Sequence, residues 1–294
     1  MTKKQAVAEL IFAGALWGFG FVATVWALRV YNPAEVLTFR FIVAVLFGEL
    51  IYLIARGPQF TNLKDDLIRA LPAGFFLAAM LILQTVGLQY TTATKSGFLT
   101  SLYVILVPLI NTLFFKQKNP WISYVWVLLA LLGTYLLVGA GLSNWNAGDL
   151  WTMGCSVLAA GHIIYIGKIT GKIGNAFRFN NLQSFWALLF CAIYLLSLGQ
   201  SPVLTSEPLP WIGILCLGLG SSIVAFYIQI RSQRILSDST ASMIFLLESP
   251  FAALFGYLLL SEKLDPLQTA GAVLILVASA LQILTGSAKS QGKI

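Results

Sequence analysis

Charge is what this chain has least of. Asp, Glu, Lys and Arg make up 10% of its 294 residues, against about 25% in a soluble globular domain. So sparse a polar complement cannot clothe a water-facing surface. Cysteine is scarcer still, with 3 residues, which excludes a disulfide-stapled secreted module. A single histidine cannot supply the three or four ligands of a zinc site, so no metal or other cofactor is expected. No Walker-type phosphate loop occurs, and no ATP drive is encoded in the chain. The net charge of +7 lies in short clusters between apolar runs rather than in one patch, so nucleic acid is not an expected partner.

Apolar residues are abundant. They reach 58% of the chain, 13% is aromatic, and the mean hydropathy is +0.85. Disorder is excluded by that content, and an integral membrane protein remains, with the lipid bilayer as its partner. The runs are long and continuous rather than alternating, so they read as helices and not as barrel strands. Ten segments are expected, at 7–28, 34–55, 68–90, 95–115, 121–142, 149–170, 181–199, 209–230, 240–260 and 266–286. Breakers such as Asn32-Pro33, Asn180-Asn181 and Asp265-Pro266 separate them. The first run, behind Lys3 and Lys4, exceeds a signal-peptide core and reads as a retained helix.

With the N-terminus in the cytoplasm, fourteen Lys and Arg fall on inner segments, among them Lys118, Arg178, Arg231, Lys289 and Lys293. Only Arg29, Lys95 and Lys263 fall on outer ones. That asymmetry places both termini in the cytoplasm. An offset of 145 brings Gln84 onto Gln229, Leu102 onto Leu247 and Lys118 onto Lys263. Two five-helix halves, 7–142 and 149–286, are therefore expected. An odd helix number gives them opposite topology, a plan in which a site forms where the halves meet.

Several motifs resemble those of one family. The run from Gly14 through Trp17 and Gly18 to Phe21 is similar to the first helix of the drug/metabolite transporter superfamily, EamA-domain family. Thr38-Phe39-Arg40-Phe41 resembles its second helix, and Gly87 to Phe98 its junction of helices three and four. Glu248-Ser249-Pro250 to Gly256, followed by Ser261-Glu262-Lys263-Leu264, resembles its ninth helix. Ser249 is a departure, since many members place Pro directly after that acid. The resemblance implies an all-α integral membrane protein of ten helices, in two inverted repeats around a central cavity. It also implies movement of small metabolites, often outward, across the cytoplasmic membrane, without fixing a substrate.

Ionisable side chains inside hydrocarbon cost roughly 2.5–3.5 kcal/mol each on translocon scales and mark sites by default. Glu248 lies about 12 Å into the ninth segment and Arg40 about 9 Å into the second, at 1.5 Å per residue. Glu248 is a candidate proton site, or an acceptor that ties two helices together. Arg40 could pair with Glu248 or hold a substrate carboxylate; a structural ion pair or snorkelling to the outer surface is the plainer role. His162 and Tyr165, one turn apart, are candidate cavity residues; an interhelical hydrogen bond is the plainer role for His162. Gln84, Gln229, Tyr103, Tyr227 and Trp17 complete the expected lining, because buried amides and hydroxyls must find partners. Pro108 and Pro250, inside helices four and nine, are candidate kinks. The three cysteines read as core residues.

The reading that fits best is a secondary transporter of small organic metabolites, working by alternating access. Amino acids or similar amphipathic solutes would suit aromatics beside amides. A channel or membrane-embedded sensor is the alternative; a channel usually builds its pore from rings of several subunits. An intramembrane enzyme lacks a catalytic constellation in this sequence. One chain suffices for the site, and the oligomeric state is open.

Overall fold

A computed structural model describes residues 1–56, 63–116, 120–137, 146–199, 202, 204–263 and 265–288. Lys118, Lys289, Lys293 and the end of the fifth expected segment, 138–142, lie outside the described residues. Among the described residues all regular structure is helical. In chain order the helices are α1 (Lys3–Ala27), α2 (Pro33–Arg56), α3 (Leu63–Leu88), α4 (Ala93–Thr100), α5 (Tyr103–Phe115), α6 (Trp121–Leu137) and α7 (Ala147–Ile169). There follow α8 (Ala176–Ser197), α9 (Pro208–Leu215), α10 (Phe226–Ser232), α11 (Asp238–Phe245), α12 (Glu248–Leu260) and α13 (Pro266–Ala288). A π-helical stretch, Cys216–Ala225, joins α9 to α10.

The starts are written in side chains. Thr2 with Gln5, Asn32 with Glu35, Asn146 with Asp149 and Asp265 with Gln268 each exchange two side chain–backbone hydrogen bonds. These capping boxes satisfy the backbone N–H groups that a helix start leaves orphaned. Eight helical runs are long and apolar enough to cross a bilayer, and Trp121–Leu136 and Pro266–Ala278 are shorter apolar helices. Large apolar side chains such as Leu46, Phe114, Ile193 and Leu284 face outward. Arg40, His162, Asn180, Gln183, Gln229 and Glu248 are buried. Apolar outside and polar inside is the pattern of a chain dissolved in lipid, and the protein is a multi-pass membrane protein.

Three expected segments differ from simple helices: the eighth, through its π stretch, and the fourth and ninth, through breaks. The fourth breaks at Ser101-Leu102, between α4 and α5, and the ninth breaks at Leu246-Leu247, between α11 and α12. The prolines are not the break points. Pro108 lies within α5, and Pro250 sits in the first turn of α12, where a backbone N–H has no helical partner to lose. α5 ends in left-handed Lys116 (φ 52°) and α12 in left-handed Ser261 (φ 57°). The breaks and the left-handed caps recur at the offset of 145 that relates Gln84 to Gln229. The seventh segment begins earlier than expected, because Asn180-Asn181 is no breaker. Both residues lie buried inside α8, whose start is capped by Asn175.

α1 is the central helix, packed against α9, the π stretch, α10, α11 and α12. Gly18 makes that approach feasible, since a Cβ there would stand 2.9 Å from the Glu248 carbonyl oxygen. α3 packs between α7 and α8, and α6 pairs with α13.

Candidate functional site

Buried polar side chains, among them Arg40, His162, Gln229 and Glu248, converge on one cavity. α1, α2, α3, α4 and α5 line it from the first half of the chain; α7, the π stretch, α10, α11 and α12 line it from the second. Its walls carry an acid, a base, an imidazole, two amides and a group of aromatic rings.

The acid is Glu248, at the start of α12 just after the break. Tyr103, at the start of α5 and offset from it by 145, donates its phenol O–H to Glu248 Oε1 at 2.9 Å. Ser101 Oγ stands 3.3 Å from the same oxygen and 2.5 Å from Ser249 Oγ, and Ser249 donates to the Gly97 carbonyl at 3.0 Å. The two broken helices thus meet through side chains at their breaks. The Tyr103 hydroxyl, with Ser101 beside it, offsets part of the cost of placing an acid at this depth.

The base is Arg40 on α2. Its Nε–H donates to Ser222 Oγ at 2.7 Å and its Nη2 to Ser221 Oγ at 3.2 Å. Both serines lie in the π stretch, whose extra residue per turn presents two consecutive side chains to one neighbour. Asn180 donates to the Ser222 and Ile223 carbonyls at 3.0 and 3.2 Å. Gln183 donates to Asn180 Oδ1 at 2.9 Å, and its Oε1 faces His162 Nε2 at 3.1 Å. With the amide so oriented, His162 Nε2 is the donor of that last bond. A continuous polar chain thus runs from α7 through α8 and the π stretch to α2.

The amides differ in partners. Gln84 donates to Thr100 Oγ1 at 3.0 Å. Gln229 donates to Gln233 Oε1 at 3.0 Å, and Gln233 donates in turn to the Ile163 carbonyl at 2.9 Å and to Asp238 Oδ1 at 3.1 Å. Trp17 sits against Phe226 and Phe245, with ring centroids 5.2 and 5.1 Å apart. Those separations are normal for attractive tilted and edge-on aromatic pairs. The Trp17 indole N–H has no hydrogen-bond partner among the described residues.

Of the residues singled out in the sequence, Trp17, Arg40, Gln84, Tyr103, His162, Gln229 and Glu248 line the cavity. Tyr165 and Tyr227 do not. Tyr165 donates to the Arg69 carbonyl at 2.7 Å, and Tyr227 packs edge-on against Phe177 with its hydroxyl 3.3 Å from Arg231 Nη1. Each sits near a helix end, where a tyrosine hydroxyl finds a backbone or basic partner instead. Pro108 and Pro250 are not on the lining either. Arg40 and Glu248 are not an ion pair with each other, and neither joins any ion pair among the described residues. Sequence reasoning missed Ser221, Ser222, Asn180 and Gln183. The adjacent serines in an apolar run are the available signal, whereas paired asparagines carry the same signature as a turn. Among the described residues no group of three or more His, Cys, Asp or Glu is placed to hold a metal.

Ion pairs and caps tie the halves at both ends of the bundle. At the end where α4 and α7 begin, Lys95 Nζ meets Asp149 Oδ2 at 2.6 Å. There Glu262 accepts from the backbone N–H groups of Ala93 and Thr94 at 3.0 and 3.2 Å. At the opposite end Arg231 meets Glu9 at 2.6 Å, and Asp238 accepts from Asn111 at 3.4 Å.

A helical membrane protein with a polar cavity between its two halves is the architecture of a solute carrier. The chain belongs to the EamA-like transporter family, whose model matches residues 6–139 and again 146–284. It is 34% identical to an uncharacterized transporter of Archaeoglobus fulgidus over 94% of this chain and 85% of that one. It is 25% identical to the uncharacterized transporter YxxF of Bacillus subtilis over 99% of this chain and 92% of the relative. A solved crystal structure superposes with a TM-score of 0.75 at 15% identity, covering 99% of this chain and all of the other, a likeness of fold. Family and relatives are transporters, and so is this protein.

Proposed function

We propose that the protein is a secondary transporter of small organic metabolites, amino acids or related amphipathic solutes among them, in the cytoplasmic membrane. The observation that carries this reading is the cavity itself. Its polar groups are contributed by both halves, and each end of the bundle is fastened by ties between those halves. Opening one set of ties while the other holds is alternating access. The halves 7–142 and 149–286 act as inverted repeats in this scheme. The recurrence of helix breaks, left-handed caps and cavity residues at one offset supports that arrangement. The bias of Lys and Arg supports cytoplasmic termini.

Trp17, Gln84, Tyr103, His162 and Gln229 are the proposed substrate-facing residues. The test is a comparison of metabolites released by cells with and without the protein, followed by uptake of the enriched compounds into vesicles containing the purified protein. Saturable uptake that is lost when His162 and Gln229 are both replaced by Ala supports the reading. Linear, non-saturating flux would instead favour a channel.

A further inference from the structure

Arg40 is 3% exposed and lines the cavity, yet no carboxylate among the described residues stands within ion-pair distance of it. A guanidinium keeps its proton at any physiological pH. The partners it has are neutral: the Phe41 ring, with its centroid 5.6 Å from Cζ, and the hydroxyls of Ser221 and Ser222. The hydroxyls use Nε and Nη2, and Nη1 has no partner among the described residues. A buried charge met only by neutral groups is costly, and a structural role is normally served by pairing it.

The groups around Arg40 offer donors and not acceptors. Each serine hydroxyl accepts from Arg40 and retains its own hydrogen, which has no acceptor among the described residues. The Ser222 and Ile223 carbonyls are taken up by the Asn180 amide. On the cavity side stand Arg40, Ser221 and Gly20. Gly20 leaves a gap there. A Cβ on it would stand 3.5 Å from Ser221 Oγ and 3.7 Å from Leu217 Cδ2, filling the space beside the hydroxyl without a clash. A positive charge, unspent donors and a gap of methyl size make a receptor for a small anion. Nε and Nη2 form one of the edges on which a carboxylate docks through two parallel bonds, and the serines occupy it. A spherical ion needs no such edge.

We propose that Arg40 Nη1, the Ser221 hydroxyl and the gap at Gly20 form a site for a monatomic monovalent anion, with chloride as its ligand. The ion neutralises Arg40 and accepts the Ser221 hydrogen. None of these three residues is among those assigned to the solute, so the ion is a resident of the cavity wall and not cargo.

The experiment uses the purified full-length protein in sodium gluconate, with chloride replacing gluconate at constant ionic strength. The thermal midpoint is read across the series. It rises and saturates with chloride, and with bromide, while acetate leaves it where gluconate does. Gly20→Ala, whose methyl group fits the gap, weakens the apparent chloride affinity by about 10-fold or more. Arg40→Gln abolishes the rise, and where that variant fails to fold the Gly20 variant decides. A midpoint that does not respond to chloride, a rise that does not saturate, or one that persists undiminished in Gly20→Ala overturns the proposal. Acetate acting as strongly as chloride overturns it too, by making the site a carboxylate receptor. The readout involves no transport, so the transporter reading stands whichever way the result falls.

Discussion

Tyr103 and Glu248 form the hydrogen bond on which the two broken helices lean, at 2.9 Å. Removing the phenol oxygen leaves a buried carboxylate oxygen short of a donor. Tyr103→Phe should therefore cost about 1–3 kcal/mol, the usual penalty of an orphaned buried polar group. The thermal midpoint in detergent checks it. Ser101→Ala should cost a similar amount, because Ser101 Oγ also donates to the Gly97 carbonyl at 2.8 Å and stands 2.5 Å from Ser249 Oγ. Gly18 makes a sharper demand. Its place against the backbone of α12 admits no methyl group, and Gly18→Ala should destabilise by about 1–3 kcal/mol through overpacking. Gly171, with nothing within 4 Å of its Cβ position, is the control and should tolerate Ala. At this scale the sequence was readable wherever a polar group sat deep in an apolar run. Arg40, Gln84, His162 and Glu248 had nowhere to go but inward. Tyr165 and Tyr227 misled because a tyrosine near a helix end has other partners within reach.

At the scale of the element, the π stretch Cys216–Ala225 sets the position of both Ser221 and Ser222 against Arg40. Deleting Gly220 should restore α-helical pitch and rotate one serine away by about 100°. The expected result is loss of saturable uptake with the protein still folded. Insertion of one Ala after Ser197, outside the network, should leave uptake unchanged. Neither the π stretch nor the breaks at Ser101 and Leu246 could be read from periodicity. In a run that is apolar on every side, the period that distinguishes a buried face carries no signal. A cap is a local pattern of a few residues, as at Asn146 with Asp149, yet the expected starts at 68 and 181 fall five residues inside α3 and α8. Asn180-Asn181 showed the same rule failing. An adjacent pair of asparagines resembles a turn until the neighbouring helices supply partners for their amides.

For the whole molecule, the ties at the two ends are the natural objects of a test. Asp149 is fully buried beneath Lys95, and breaking such a pair by truncating one partner costs about 3–5 kcal/mol. Cys155 lines the cavity and is buried, so it can serve as a reporter once Cys191 and Cys216 are replaced. Lys95→Ala should speed its labelling by an impermeant maleimide from the side where α4 begins, by about 10-fold or more. Arg231→Ala should speed labelling from the other side. Equal rates in all three proteins would mean that these contacts do not hold the cavity shut.

The swollen coil between α9 and α10 has no counterpart in α3, which runs as ordinary helix through the matching stretch despite Pro72. Twins that differ in one joint do not rock with equal ease. Traffic in the two directions should then proceed at unequal speeds under mirror-image gradients, and the carrier should idle facing one compartment rather than divide its time evenly.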